Sequence, residues 1–113
     1  MVLECTPALQ LLPEITRRIL SVCQPQKIIL FGSYARGDYG PDSDLDLLVI
    51  MDGIESNRAE SNRLRRALRG LLTPIDILVA TTEQIERHRQ TIGLIYRPAL
   101  EEGKVIYEQH ATA

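Results

Sequence analysis

Asp44 and Asp46 stand one residue apart at the start of an apolar run, and Asp76 repeats the arrangement between Ile75 and Ile77. Side chains alternate along a strand, so Asp44 and Asp46 share a side, with Cα atoms about 7 Å apart, while Leu45 and Leu47 turn into the core. By the same alternation Asp76 projects opposite to Ile75 and Ile77. Unit charges about 5 Å apart at an effective dielectric of about 20 repel by about 3 kcal/mol per pair, so three such acids call for a cation. Hard divalent ions with oxygen ligands answer that need, and Mg2+ is characteristically held by one or two carboxylates plus substrate phosphates. Gly32 and Ser33 supply the complementary half. A glycine at a strand end lets backbone approach a ligand closely, and the first turn of a following helix offers N–H groups to a phosphate. The Ser33 hydroxyl adds a donor, and Arg36, one turn on, adds a charge-assisted contact unless it is simply exposed. Together these residues are suited to a metal-bound nucleoside triphosphate.

The elements that must position them can be read locally. "KIILF", residues 27–31, is a β-branched apolar run between Pro25 and Gly32 and predicts a first strand. A helical turn over Ser33–Arg36 ends at Gly37, and "GDYGPDSD" is a loop with two glycines, a proline and three aspartates. "LDLLVIM" predicts a second strand and "TPIDILVA" a third, opened by Thr73 and Pro74. Upstream, Thr6 and Pro7 make an N-cap and first helical position. Leu11, Leu12, Ile15, Ile19 and Leu20 carry a helical stripe toward Pro25, with Pro13 either interrupting that helix or beginning it. Residues 56–72 place Leu64, Ala67, Leu68, Leu71 and Leu72 on one face, and Arg58, Arg63, Arg65, Arg66 and Arg69 largely elsewhere. Thr81 and Gln84 form a capping box for the next helix, one more helix runs from Ile92 to Glu102, and "KVIYE" returns as a short final strand. Alternating helices and strands call for an α/β layer structure.

Gly32-Ser33, positions 34–43, then Asp44-x-Asp46 resembles the signature of the DNA polymerase beta-like nucleotidyltransferase superfamily. "GSYARGDYGPDSDLDLLV" most resembles its minimal nucleotidyltransferases, and Asp76 in "PIDILV" matches their third carboxylate. The resemblance spans residues 27–80 with specific motifs and the rest of the chain more loosely. It implies a single-domain fold, a mixed β-sheet with helices packed on one face; the domain is expected over residues 1–108, with "QHATA", 109–113, as a flexible tail. It also implies transfer of a nucleoside monophosphate to a hydroxyl with release of pyrophosphate. By that resemblance Asp44, Asp46 and Asp76 are catalytic and hold two Mg2+ ions, Asp76 helps deprotonate the acceptor, and Gly32, Ser33 and Arg36 bind the nucleotide. Many minimal nucleotidyltransferases resemble the MntA-type antitoxin of a two-gene module whose other member is a HEPN-domain ribonuclease toxin. ATP is then the donor and a toxin tyrosine the acceptor.

Composition neither demands nor forbids this. With 113 residues, 44% hydrophobic and 25% charged, the chain suits one domain with a single core. Its net charge of −2, from 13 basic and 15 acidic residues, gives no global pull toward nucleic acid or anionic membrane. No apolar run approaches the 18 or so residues of a membrane span, and Cys5 and Cys23 have no disulfide or zinc spacing, so the cytoplasm is the default. The arginine face of the Arg58–Arg69 helix is most simply a solvated surface, with RNA or an acidic partner as the other readings. His88 and His110 read as surface residues. Tyr34 and Tyr39 flank the motif, where either stacks on a base or covers a core edge. With 33 residues after Ala80, the acceptor is expected on a partner or across an oligomer interface. The alternatives are transfer to a small-molecule alcohol or an RNA end, and a non-catalytic antitoxin that neutralises its partner by binding.

Overall fold

A computed structural model describes residues 7–40, 42–71, 73–88 and 101–109 of the protein. Helix α1 (Pro7–Gln10) is a single turn, and α2 (Leu12–Val22) follows with Pro13 in its first turn. Proline is tolerated there because the missing N–H has no intrahelical partner. Pro13 therefore begins a helix. Ile15 and Ile19, one turn apart, are fully buried, but Leu20 is 37% exposed, so the apolar stripe is narrower than the sequence implies. Thr6 lies outside the described residues.

Strand β1 (Lys27–Phe31) leads into the turn α3 (Ser33–Arg36), and β2 (Leu45–Ile50) pairs antiparallel to β1. Helix α4 (Asn57–Ala67) then carries the chain across to β3 (Ile75–Ala80), which runs parallel to β2. After α5 (Thr82–His88), β4 (Lys104–Glu108) pairs antiparallel to β1, giving the order β3-β2-β1-β4. The result is the mixed sheet expected from the sequence. The predicted helix from Ile92 falls outside the described residues except at Glu101 and Glu102. So does the tail from residue 110; Gln109 still donates its N–H to the Gln26 carbonyl (2.8 Å).

Both ends of α4 have a physical cause. The Ser56 hydroxyl accepts from the Ala59 N–H (3.1 Å) and caps the start. The helix stops at Ala67, short of the predicted residue 72. Gly70 adopts φ +95°, a left-handed conformation that ends a helix, and the Arg18 guanidinium donates to the Ala67 (3.4 Å) and Arg69 (3.0 Å) carbonyls. At α5 the predicted capping box is reciprocal. The Thr81 N–H donates to Gln84 Oε1 (3.0 Å) and the Gln84 N–H to Thr81 Oγ1 (3.1 Å).

One face of the sheet carries the main core. Ile28, Leu30, Leu45, Leu47, Val49, Ile77 and Val79 pack there with Ile15, Ile19, Leu64 and Leu68 of the helical layer. Leu45, Leu47 and Val49 are completely buried, each worth roughly 1.5–3 kcal/mol of stabilisation, which fixes the strand on which Asp46 sits. A smaller cluster, Ile29, Leu48, Ile50 and Ala80, lies on the other face and is closed by Ile85 of α5. Among the described residues no helix is long and apolar enough to cross a membrane.

Candidate active site

The acids gather at one end of the sheet because β2 and β3 start together. The Leu45 N–H donates to the Pro74 carbonyl (3.0 Å), and in-register parallel pairing then sets Asp46 beside Asp76, with Phe31 of β1 opposite Asp46 on its other side. Leu45 and Leu47 enter the core as predicted, so Asp46 faces away from the helical layer, half-buried. Asp44 immediately precedes β2 and is partly exposed; Asp76 is exposed on the edge strand β3. Burial pushes the Asp46 carboxyl above its ordinary range, reinforced by the negative charges of Asp76 and Asp44 and by a hydrogen bond with Asp76. The Arg36 charge acts in the opposite sense but does not cancel the rise.

Gly32 is set directly against this group. Its backbone has φ +76° and ψ −155°, a region that only glycine enters without strain, and it caps the start of α3. A Cβ at this position would overlap Asp46 Oδ2 and lie 3.2 Å from Asp46 Cγ. The glycine expected for close approach of a phosphate is thus first required for close approach of a carboxylate. Its carbonyl accepts from the Ala35 (3.1 Å) and Arg36 (3.0 Å) N–H groups. Ser33, half-buried, occupies the first position of the turn, where an N–H has no intrahelical partner. Gly37, at φ +91°, ends the turn as predicted.

The loop from α3 to β2 is pinned by a residue that the sequence reading passed over. Ser43 Oγ accepts from the Gly40 N–H (2.8 Å), and the Ser43 N–H donates back to the Gly40 carbonyl (3.1 Å). A serine within a Gly-Pro-Asp run is the signal that could have found it, since such hydroxyls bond nearby backbone. Tyr34 is buried in the core and stacks on Tyr39, ring centroids 4.4 Å apart and planes 15° from parallel. The two rings therefore meet each other over the core edge.

Arg36 is placed near the acids but is already engaged. Its Nε lies 3.2 Å from Asp38 Oδ2 and its Nη1 3.3 Å from Glu102 Oε1, and these carboxylates push its pKa up further. Of the predicted surface features, Arg58, Arg63, Arg65, Arg66 and Arg69 are exposed. Cys23 is half-buried, its thiol donating to the Ile19 carbonyl (3.3 Å) and raised by burial. Cys5, His110 and the His88 side chain lie outside the described residues.

The site can be tested for its fit to a divalent cation. Among the described residues no three His, Cys, Asp or Glu side chains form a closed metal-ligand group. The neighbouring Asp46 and Asp76 nevertheless meet the requirement of Mg2+ for one or two carboxylates with its other positions left to water and phosphate. The raised Asp46 is a carboxylate whose charge lacks compensation, a deficit that a cation would remove.

Comparison with known proteins gives the same direction. The family model described as "Nucleotidyltransferase domain" matches residues 10–106. A curated relative from Methanocaldococcus jannaschii, named "Putative protein adenylyltransferase MJ0604", is 37% identical over 84 residues, 73% of this chain and 78% of the relative. A crystal structure of a nucleotidyltransferase from Sulfolobus solfataricus, described there as putative, superposes with a TM-score of 0.64 at 26% identity, covering 89% of this chain and 80% of that one. Two further structures share the fold. One, a toxin-antitoxin with AMP-PNP, has a TM-score of 0.54 at 20% identity, over 85% of this chain and 73% of that one. The other, a mutant of the toxin-antitoxin MntA-HpeT, has a TM-score of 0.56 at 17% identity, over 86% of this chain and 72% of that one. With a model match across nearly the whole described fold and a curated relative at this identity, the chain belongs to the nucleotidyltransferase domain family.

Proposed function

We propose that this protein is a Mg2+-dependent adenylyltransferase that moves AMP from ATP to a tyrosine of a HEPN-type ribonuclease toxin encoded by a neighbouring gene, and so acts as its antitoxin. The observation that carries this reading is the packing of Gly32 against Asp46, with Asp76 alongside. A turn suited to phosphate and a pair of acids suited to metal share one wall. The name of the Methanocaldococcus relative supports a protein acceptor, and the toxin-antitoxin structures, one with AMP-PNP, support ATP and a toxin partner.

In this reading Asp44, Asp46 and Asp76 hold two Mg2+ ions, which when bound neutralise phosphate charge and orient the triphosphate for in-line displacement. The Ser33 hydroxyl and the backbone of the Gly32-Ser33 turn donate to phosphate oxygens. Arg36 adds a charge by exchanging a carboxylate partner for phosphate, an exchange made easy by the small stability of exposed ion pairs. Asp76, exposed on the edge strand, accepts the proton of the attacking hydroxyl. The new bond forms between that oxygen and the α-phosphorus as the bond to pyrophosphate breaks. ATP as donor and a toxin made in the same cell place the reaction in the cytoplasm.

Incubation with α-labelled ATP, Mg2+ and the neighbouring-gene product tests this. Label should appear on the partner and vanish with Asp44→Asn or Asp46→Asn. Neutralisation that survives both substitutions without label would replace the catalytic reading with a binding one.

A further inference from the structure

The arginines among the described residues fall into two groups. Arg17 and Arg18 pair with Glu14, Arg36 with Asp38 and Glu102, Arg63 with Glu60, and Arg87 with Glu83. Arg58, Arg65, Arg66 and Arg69, all exposed, have no side-chain hydrogen bond or ion pair among the described residues. These four are confined to α4 and the turn that closes it. The spacing aligns them: Arg65 is two helical turns beyond Arg58, and Arg69 one turn beyond Arg65, so the three form one stripe with Arg66 beside it. Leu64 and Leu68, each one residue earlier than Arg65 and Arg69, lie about 100° round the helix on its buried side.

Topology gives the stripe its location. β2 and β3 are parallel, with Asp44, Asp46 and Asp76 at their starting ends. Helix α4 returns from the far end of β2 to the start of β3, so Arg65, Arg66 and Arg69 arrive at the same end of the sheet as the acids. A long polyanion running off the end of this stripe would reach the end of the sheet where those acids cluster on the other face, and be repelled. α4 also carries no aromatic side chain on which bases could stack. A partner of limited, local negative charge fits both conditions.

We infer that the Arg58, Arg65, Arg66 and Arg69 stripe is the docking surface for an acidic patch on the protein that carries the acceptor hydroxyl, seating that protein beside the acid end of the sheet. The inference rests on the protein-adenylyltransferase reading above. Desolvated against carboxylates, guanidinium groups make bidentate contacts, and the like-charged unpaired surface steers an acidic partner toward the site.

The test compares wild type with the triple variant Arg58→Glu, Arg65→Glu, Arg69→Glu, using the purified neighbouring-gene product as probe. Binding is read by biolayer interferometry and AMP transfer by label from ATP. Affinity for the partner should fall about 30-fold or more, and the KM for partner should rise in proportion, while nucleotide affinity stays unchanged. Wild-type affinity should weaken steeply between about 50 and 300 mM NaCl, and the variant's should not. The Arg→Lys triple variant, which keeps the charge but loses the bidentate fork, should fall between wild type and the charge-reversed variant. Unchanged affinity and KM in the charge-reversed variant would overturn the inference, as would stripe-dependent retention of a single-stranded RNA oligonucleotide with partner binding intact. Stripe-dependent binding without any AMP transfer by wild type would uphold the docking surface and overturn the catalytic reading instead.

Discussion

Strand β2 is flanked by aspartates at both ends, and the molecule treats them oppositely. Asp52, just beyond the end of the strand, is fully used. Its Oδ1 accepts from the Thr82 N–H (2.7 Å), its Oδ2 from Thr82 Oγ1 (3.0 Å) and Gln26 Nε2 (3.1 Å), and its own N–H donates to Gln26 Oε1 (3.1 Å). That carboxylate caps α5 and ties it to the segment before β1. Asp46, at the start of the strand, faces two other acids, and its burial and neighbours favour the protonated form. The same residue type is satisfied just past one end of the strand and left in electrostatic deficit near the other. A carboxylate that serves the fold shows complete bonding, whereas a perturbed one facing other acids marks a candidate functional site.

Exchanging the roles of these ends is the sharpest way to break the contrast. Asp46→Asn should reduce AMP transfer about a thousand-fold or more, measured with labelled ATP, while leaving the thermal transition unchanged or raised, because it deletes a repelling charge. Gly32→Ala comes next. Strain at φ +76° together with the overlap on Asp46 should destabilise by about 1–3 kcal/mol in urea titration and depress transfer by about a hundred-fold. Asp52→Ala should destabilise by about 1–2 kcal/mol through loss of the α5 cap, with transfer per folded molecule preserved. A parallel loss of activity and no loss of stability in Asp52→Ala would erase the distinction between the two ends.

The pH dependence is smaller and has a definite sign. The Asp46 pKa is raised in the folded state, so its contribution is fully present below the unfolded value near 3.8 and is lost as pH rises through the folded value. Asp46→Asn should therefore gain on wild type as pH climbs from about 4 to 7, read by chemical denaturation without divalent ions, and added Mg2+ should narrow the gap. Glu14 runs the other way. Lowered to about 2 by Arg17 and Arg18, it supports the fold above its unfolded value of 4.5 and loses that support as pH falls through 2. Smallest of all, Glu102→Gln should alter stability by only a few tenths of a kcal/mol, since its pair with Arg36 is exposed.

Much of this was legible in the sequence because its causes are local. "KIILF" became β1 at its predicted bounds, Ser33–Arg36 became α3, and Thr81 with Gln84 closed their capping box. The coincidence of Gly32-Ser33 with Asp44-x-Asp46 at the β1–β2 junction follows from one antiparallel pairing, which the motif spacing already implies. What the sequence concealed lies between distant positions. Arg36 meets Glu102 across most of the chain, Asp52 caps a helix thirty residues on, and α4 ends early because Gly70 turns left-handed while Arg18 takes its last carbonyls. Gly32 has a second reason to be glycine that the sequence did not show. Its place between a strand and a helical turn marks the glycine as necessary, but only the folded chain shows that a carboxylate fills the space its side chain would need.

The in-register pairing of Asp46 with Asp76 has one more consequence. The two acids sit on adjacent parallel strands, so their separation is a spacing of the backbone ladder and owes little to side-chain reach. Slippage of β3 by a single residue would rotate Asp76 into the helix-packed layer and bring a neighbouring isoleucine out beside Asp46. Ile77 and Val79, buried on the opposite face, therefore act as a detent for a reaction they never touch. Core substitutions that loosen them should degrade the chemistry through register before they unfold the domain.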